Sequence, residues 1–154
     1  MRPILIDTNL LVYLYDQNEP VKQTRARQVL DALRQNQTGR LSTQALSEFV
    51  NASMRKLTPP LTAGEACEQV SLLAGFWQVF DLTPQIVCAA PTRLEAARGV
   101  RDHGLAYYDA QIWAAARLNQ TPLVFSEDFH DGLTLEGIRF VNPFAEGFEA
   151  EEWV

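Results

Sequence analysis

Short apolar runs recur along this chain, and stretches of helical pattern separate them. "PILID", "GRLS", "FWQVFDL", "PLVFS" and "IRFV" read as strands, the first over Pro3–Asp7 and the second opening at Gly39. A helix over Asn9–Tyr15 follows the first strand. Val21, Arg25, Val29 and Leu33 fall at helical spacing behind Pro20, which marks the start of a second helix. Thr43 is expected to cap a third, with Leu46, Phe49, Val50, Ser53 and Leu57 on one side and Pro59-Pro60 ending it. Thr62–Glu65 is a capping-box pattern and opens a fourth. Residues 83–104 read as helical with a break at Pro91 and a stop at Gly104, and "YYDAQIWAAARLN" is the last helix. Strands that alternate with helices predict an α/β fold with a mainly parallel sheet covered on both faces.

A chain of 154 residues suits one domain, expected over residues 1–144. The final stretch, "AEGFEAEEWV", carries Glu146, Glu149, Glu151 and Glu152 and is set apart as a short acidic tail over 145–154. The hydrophobic content of 47% is enough to bury a core without staples. The longest apolar runs are too short to span a bilayer, and the residues before Asp7 do not read as a signal peptide. Cys67 and Cys88 make no disulfide framework, so the reducing cytoplasm is the expected compartment. The net charge of −6 argues weakly against a nucleic-acid partner, because phosphate affinity usually rests on basic surface. It does not exclude one, since carboxylates gathered round a metal do not act as free charge.

Four acids stand where a carboxylate is awkward. Asp7 follows Ile4, Leu5 and Ile6; on its own it would serve as well as a helix N-cap. Glu48 lies beside Ala45 and Ala52, and a solvated helix face is its plainer reading. Asp109 shares a helix face with Ile112, Trp113 and Ala116, where a charge is costly unless paired or metal-bound; the plainer reading is a first-turn acid favoured by the helix dipole. Asp128 follows the strand "PLVFS" in what is otherwise a polar turn, with Glu127 and Asp131 solvated beside it. Two of the four follow strands and two lie in helices that follow strands. A parallel sheet gathers such positions at one edge, the edge where ligands bind. Clustered carboxylates need positive charge to stay ionised. A hard divalent cation supplies it and suits phosphodiester cleavage. No serine or cysteine motif accompanies His103 or His130, the cysteines and histidines lack zinc-ligand spacing, and no glycine-rich phosphate loop is present.

"LIDTNLLVYL", "SEFVN", "GLAYYDAQIWAAA" and "VFSEDFHDG", in this order, resemble the segments that carry the acids of PIN domains, with VapC-type toxins of type II toxin–antitoxin pairs the nearest likeness. The resemblance spans about Ile4 to Phe144, including the closing "IRFVNPF". It implies a three-layer α/β/α sandwich. It also implies Mg²⁺- or Mn²⁺-dependent RNA endonuclease activity that leaves a 5′-phosphate and a 3′-hydroxyl. On this pattern Asp7, Glu48, Asp109 and Asp128 are the catalytic acids, with Asp7, Asp109 and Asp128 the metal ligands. Thr8, Asn9 and Ser126 would support them. A homodimer and a cognate antitoxin that blocks the site are implied as partners. Arg93, Arg98 and Arg101 are the helical candidates for RNA contact, although solvated arginines are common on helices. Two other readings keep the same fold: a housekeeping RNA-processing nuclease with no antitoxin, and a non-catalytic RNA- or protein-binding module, against which all four acids argue. A haloacid-dehalogenase-type phosphohydrolase would begin D-x-D, whereas Asn9 holds the second Asp position here.

Overall fold

A computed structural model describes residues 1–88 and 95–154. The chain runs β1 (Ile4–Ile6), α1 (Thr8–Tyr13), α2 (Pro20–Gln35), β2 (Gly39–Ser42), α3 (Thr43–Arg55), α4 (Ala63–Phe76) and β3 (Gln78–Phe80). It continues through α5 (Pro84–Cys88), α6 (Glu95–His103), α7 (Tyr107–Leu118), β4 (Leu123–Phe125), β5 (Thr134–Leu135) and β6 (Ile138–Val141) to a 3₁₀ turn over Ala150–Glu152. The break expected at Pro91 lies outside the described residues.

The six strands form one sheet in the order β3-β2-β1-β4-β6-β5. Every pairing is parallel except β5 with β6. The order turns around at β1, which has β2 on one side and β4 on the other, so the sheet's switch point lies beyond the end of β1. The expected α/β sheet is present. The two-residue strand β5 is an addition to the sequence reading, formed by a hairpin that turns through Glu136 (φ 48°) and Gly137 (φ 84°).

Alternate residues of a strand point to opposite faces, and β1 uses both. Ile4 and Ile6 join a core with Val29 and Leu33 of α2 and Phe49 of α3, while Leu5 joins a second core with Trp113 and Ala114 of α7 and with Phe140. Helices thus cover both faces, which is why the strands read as unbroken apolar runs. Helix α6 packs tightly on α7 because Gly99 has no side chain: a Cβ there would stand 3.0 Å from both the Ala110 Cβ and the Trp113 ring.

Two details differ from the sequence reading. Ser42, not Thr43, caps α3 by accepting the Ala45 N–H at 3.1 Å, and Thr43 Oγ1 instead accepts the Leu82 N–H at 2.8 Å. Either hydroxyl is a competent cap, so composition does not separate them. The capping box at Thr62 and Glu65 is present as expected. The stretch over 145–154 is docked to the protein. Phe148 and Ala150 are buried in the first core, Trp153 packs against it, and Arg25 Nη1 donates to the Phe148 carbonyl at 2.9 Å. Its four glutamates remain exposed. Charge sets the overall character of this segment, but its apolar residues are spaced to reach the core.

Candidate active site

Asp7 stands at the end of β1, where the strand's inter-strand bonds stop and α1 begins. Its backbone is extended and Oδ1 accepts the Thr8 N–H at 2.7 Å, so the plain helix-capping role is real. The side chain is only 5% exposed, however, and its second oxygen serves a different network. Oδ2 accepts from Ser126 Oγ at 2.6 Å and from Asn9 Nδ2 at 3.3 Å. The Asn9 amide also reaches Ser126 Oγ and Asp128 Oδ2, each at 3.2 Å. Ser126 Oγ in turn accepts the Asp128 N–H at 3.1 Å. Asn9 and Ser126 therefore link the end of β1 to the turn after β4, two neighbouring strands at the switch point.

Glu48 is half-buried on α3, six residues beyond its cap Ser42. Thr8 Oγ1 donates to its Oε2 at 3.4 Å, and Gln44 Nε2 donates to its Oε1 at 2.7 Å. The same Gln44 nitrogen donates to the Tyr108 carbonyl at 3.1 Å, which ties α3 to the first turn of α7. Asp109 is in that turn, half-buried, with Ile112, Trp113 and Ala116 buried along its face as the helical spacing predicts. Gln44 is a site residue that sequence reading missed. Its only signal is the i, i+4 spacing to Glu48, which places both on one face of the helix.

The electrostatics bind these four acids into one cluster. Burial pushes the Asp7 carboxyl up to about 7, and the charges of Asp128 and Glu48 push the same way. The bonds from Ser126 and Thr8 offset only part of this. Burial also raises Asp109, again with Asp128 and Glu48 adding to the effect. A carboxyl that resists ionisation at neutral pH marks a place where positive charge is missing.

The chemistry of the donors fits a hard cation: they are all oxygen, and Asn9 Oδ1 is a further buried oxygen without a hydrogen-bond partner. The expected direct ligands Asp7, Asp109 and Asp128 do not close into a triad, however. Among the described residues no three acidic, histidine or cysteine side chains stand close enough together to hold one ion by themselves. Like charges keep such groups apart, and Mg²⁺ characteristically takes one or two carboxylates and keeps several waters. The arrangement therefore fits an ion held partly through water.

A cavity of about 390 Å³ opens beside these residues, lined by Glu48 and Asp128 of the four acids and by Asn9, Asn51 and Lys56 among others. Lys56 is exposed at its edge and was not among the residues expected to meet a substrate. Glu127, expected to be solvated, is tied down instead: Tyr13 Oη and Lys22 Nζ both donate to it, the latter at 2.7 Å. The arginines expected to meet RNA lie apart from the acids' hydrogen-bond network. Arg98 pairs with Glu136 at 2.8 Å, Arg101 pairs with its neighbour Asp102 at 2.7 Å, and Arg93 lies outside the described residues.

Comparison with known proteins places this arrangement. No curated protein sequence matches the chain. Solved structures do. A toxin–antitoxin complex from Klebsiella pneumoniae superposes with a TM-score of 0.65 at 17% identity, covering 92% of this chain and 98% of that one. A DNA-bound VapBC from Salmonella typhimurium gives 0.63 at 16%, covering 93% and 99%. The Mycobacterium tuberculosis toxin VapC20, which cleaves the sarcin-ricin loop, gives 0.58 at 15%, covering 79% and 86%. Identities this low establish a shared fold. The sequence profile of the PIN domain matches residues 4–130, from the strand that delivers Asp7 to just past Asp128. On that match, which takes in all four acids and most of the chain, the protein belongs to the PIN domain family.

Proposed function

We propose that this chain is a divalent-metal-dependent endoribonuclease and the toxin of a type II toxin–antitoxin pair. The observation that carries the reading is the cluster of Asp7, Glu48, Asp109 and Asp128 at the sheet's switch point, short of positive charge and open to a cavity through Glu48 and Asp128. The structures it superposes on are toxin–antitoxin proteins, one described as cleaving RNA, which supports the toxin assignment.

In this reading Asp7 and Asp128, at the two neighbouring strand ends, would hold Mg²⁺ or Mn²⁺ together with Asp109 from α7. The bound cation supplies charge that stabilises the phosphoryl transition state and eases deprotonation of an attacking water. Asn9 and Ser126 fix the Asp7 and Asp128 carboxylates by bridging them. Thr8 and Gln44 hold Glu48 facing the cavity, where its carboxylate accepts the proton of the attacking water and orients it in line with the leaving 3′-oxygen. The products are a 5′-phosphate and a 3′-hydroxyl. Lys56, at the cavity edge, meets the RNA backbone, and Arg101 offers a more distant contact. The exposed side chains of Leu72 and Phe76 on α4 give apolar surface to a protein partner. The homodimer rests on the family resemblance, and light scattering tests it.

RNA cleavage by the purified protein with Mg²⁺ or Mn²⁺ should stop in excess EDTA while the fold persists by circular dichroism. Expression alone should slow growth of its host, and co-expression with an adjacent small gene should restore growth and give a co-purifying complex. Equal cleavage in EDTA sinks the metal reading. A harmless protein that still cuts RNA with metal turns the toxin assignment into RNA processing.

A further inference from the structure

A cavity of about 820 Å³ lies next to the acids and shares Glu48 and Asn51 with their own cavity. Two buried amide side chains line it, Gln44 from α3 and Gln111 from α7, exposed by only 5% and 3%. In both, the amide oxygen has no hydrogen-bond partner. A buried acceptor left this way is unfavourable and rare in proteins. The orientation of the Gln44 amide is fixed, because its nitrogen is engaged by the Glu48 carboxylate and the Tyr108 carbonyl, so its free end is an acceptor. Both residues line the cavity, and the Gln111 side chain makes no hydrogen bond among the described residues, so no bond holds its amide against turning toward a ligand there. Tyr107 and Tyr108 complete the site, their rings edge-to-face at 5.5 Å and both more than a third exposed.

We infer that this cavity is a nucleobase subsite, taking a base that bears an exocyclic amino group and lies next to the phosphate held at the acids. The inference rests on the nuclease reading for the identity of the ligand. An amino group carries two N–H donors, matching in number the two orphaned acceptors. Exposed tyrosines offer stacking surface to any base, as in single-strand binders generally. The amides then supply selection that stacking lacks. A base without an amino group leaves both oxygens unpaired, and that difference between ligands sets the preference.

The test uses short single-stranded RNAs that differ in one group: adenosine against purine riboside, and guanosine against inosine, at the nucleotide flanking the cleaved bond. Binding is read by fluorescence anisotropy on the Asp7→Asn protein, so that cleavage does not consume the probe. Each amino-bearing RNA should bind roughly tenfold or more tighter than its partner, the discrimination one good set of base contacts gives. Gln111→Leu on that background should bring the ratio to about one. Gln111→Glu, which keeps an acceptor, should retain the preference and stands in if the leucine variant does not fold. Tyr108→Ala, at an exposed position, should weaken both RNAs of a pair by roughly tenfold, the weight of one stacked base, with the ratio unchanged. Equal binding of the paired RNAs overturns the subsite even if the wild type cuts RNA, since water then satisfies the two oxygens. A preference untouched by both Gln111 variants overturns it too. A clear amino preference in a protein that cuts no RNA with Mg²⁺ or Mn²⁺ leaves the subsite standing and removes the nuclease reading beneath it.

Discussion

Glu136 and Asp7 are both carboxylates in well-packed surroundings, and their neighbours differ completely. Glu136, at the tip of the β5–β6 hairpin, receives Arg98, Arg117 and His103 on its two oxygens. The two guanidinium groups lie over the Trp113 ring at 5.3 Å, and the imidazole meets the same ring edge-on at 5.2 Å. Partial burial alone would raise this carboxyl, but its bonds and cations outweigh that and hold it below the usual range. Asp7 has no cation partner among the described residues and two like charges nearby, and its carboxyl is pushed the other way, to about 7. The first cluster is complete within the protein: it pins the hairpin to α6 and α7. The second has no such cation of its own among the described residues, which is the gap the proposed metal would fill. A carboxylate's surroundings, more than its burial, separate a structural group from a site.

The largest expected break in this contrast is in activity. Asp7→Asn keeps the cap on α1 and the shape of the side chain but removes a charge from the proposed metal shell. RNA cleavage should fall by about a hundredfold or more, since metal-based charge stabilisation contributes several kcal/mol. Glu136→Gln should leave cleavage within a fewfold of wild type. Equal losses, measured as initial rates on one RNA, would erase the distinction between the clusters.

Stability gives the next contrast. A carboxyl whose folded pKa exceeds its unfolded value stabilises the fold fully below the unfolded pKa, and that contribution is lost as pH rises through the folded one. For Asp7 the window runs from about 4 to about 7. Metal-free protein should therefore lose stability across that range in urea titrations, and Asp7→Asn should flatten the slope. Excess Mg²⁺ should restore stability at the upper end. A slope that is the same in the variant would assign it to other groups.

Glu136→Gln should act in the opposite sense, lowering stability at neutral pH by about 1 kcal/mol, as expected for a partly exposed charge network. An unchanged urea midpoint would make the cluster ornamental to folding. The smallest effect is expected at Glu127→Gln. It loosens Lys22 and Tyr13 beside the acids without touching them, so cleavage should fall only a fewfold. A loss as large as that of Asp7→Asn would bring Glu127 into the site.

Much of this contrast could be read from the sequence on the Asp7 side and little on the other. Apolar runs and helical spacing were enough to lay out the parallel sheet, because burial on both faces leaves a strong pattern. Asp7 and Asp109 stood out because a carboxylate on an apolar stripe is costly and therefore informative. Glu136 gave no such signal, since Glu-Gly in a turn is ordinary and its three partners are distant in sequence. Gln111 was equally silent, and Gln44 nearly so apart from its spacing to Glu48: glutamine is a common helix residue, and only packing makes an amide oxygen an orphan. The helix cap slipped by one residue because serine and threonine cap by the same bond. The docking of Phe148 was hidden by the glutamates around it, which dominate composition but not contact.

That last segment has an effect beyond packing. A mobile acidic tail averages its field over many directions. Here Phe148, Ala150 and Trp153 are anchored, so Glu146, Glu149, Glu151 and Glu152 form a strip of negative charge with a fixed bearing relative to the acids. In a molecule of net charge −6, such a strip contributes a permanent dipole. A polyanion approaching it would therefore feel a torque as well as a repulsion. That orienting influence would fade as salt shortens the reach of the field.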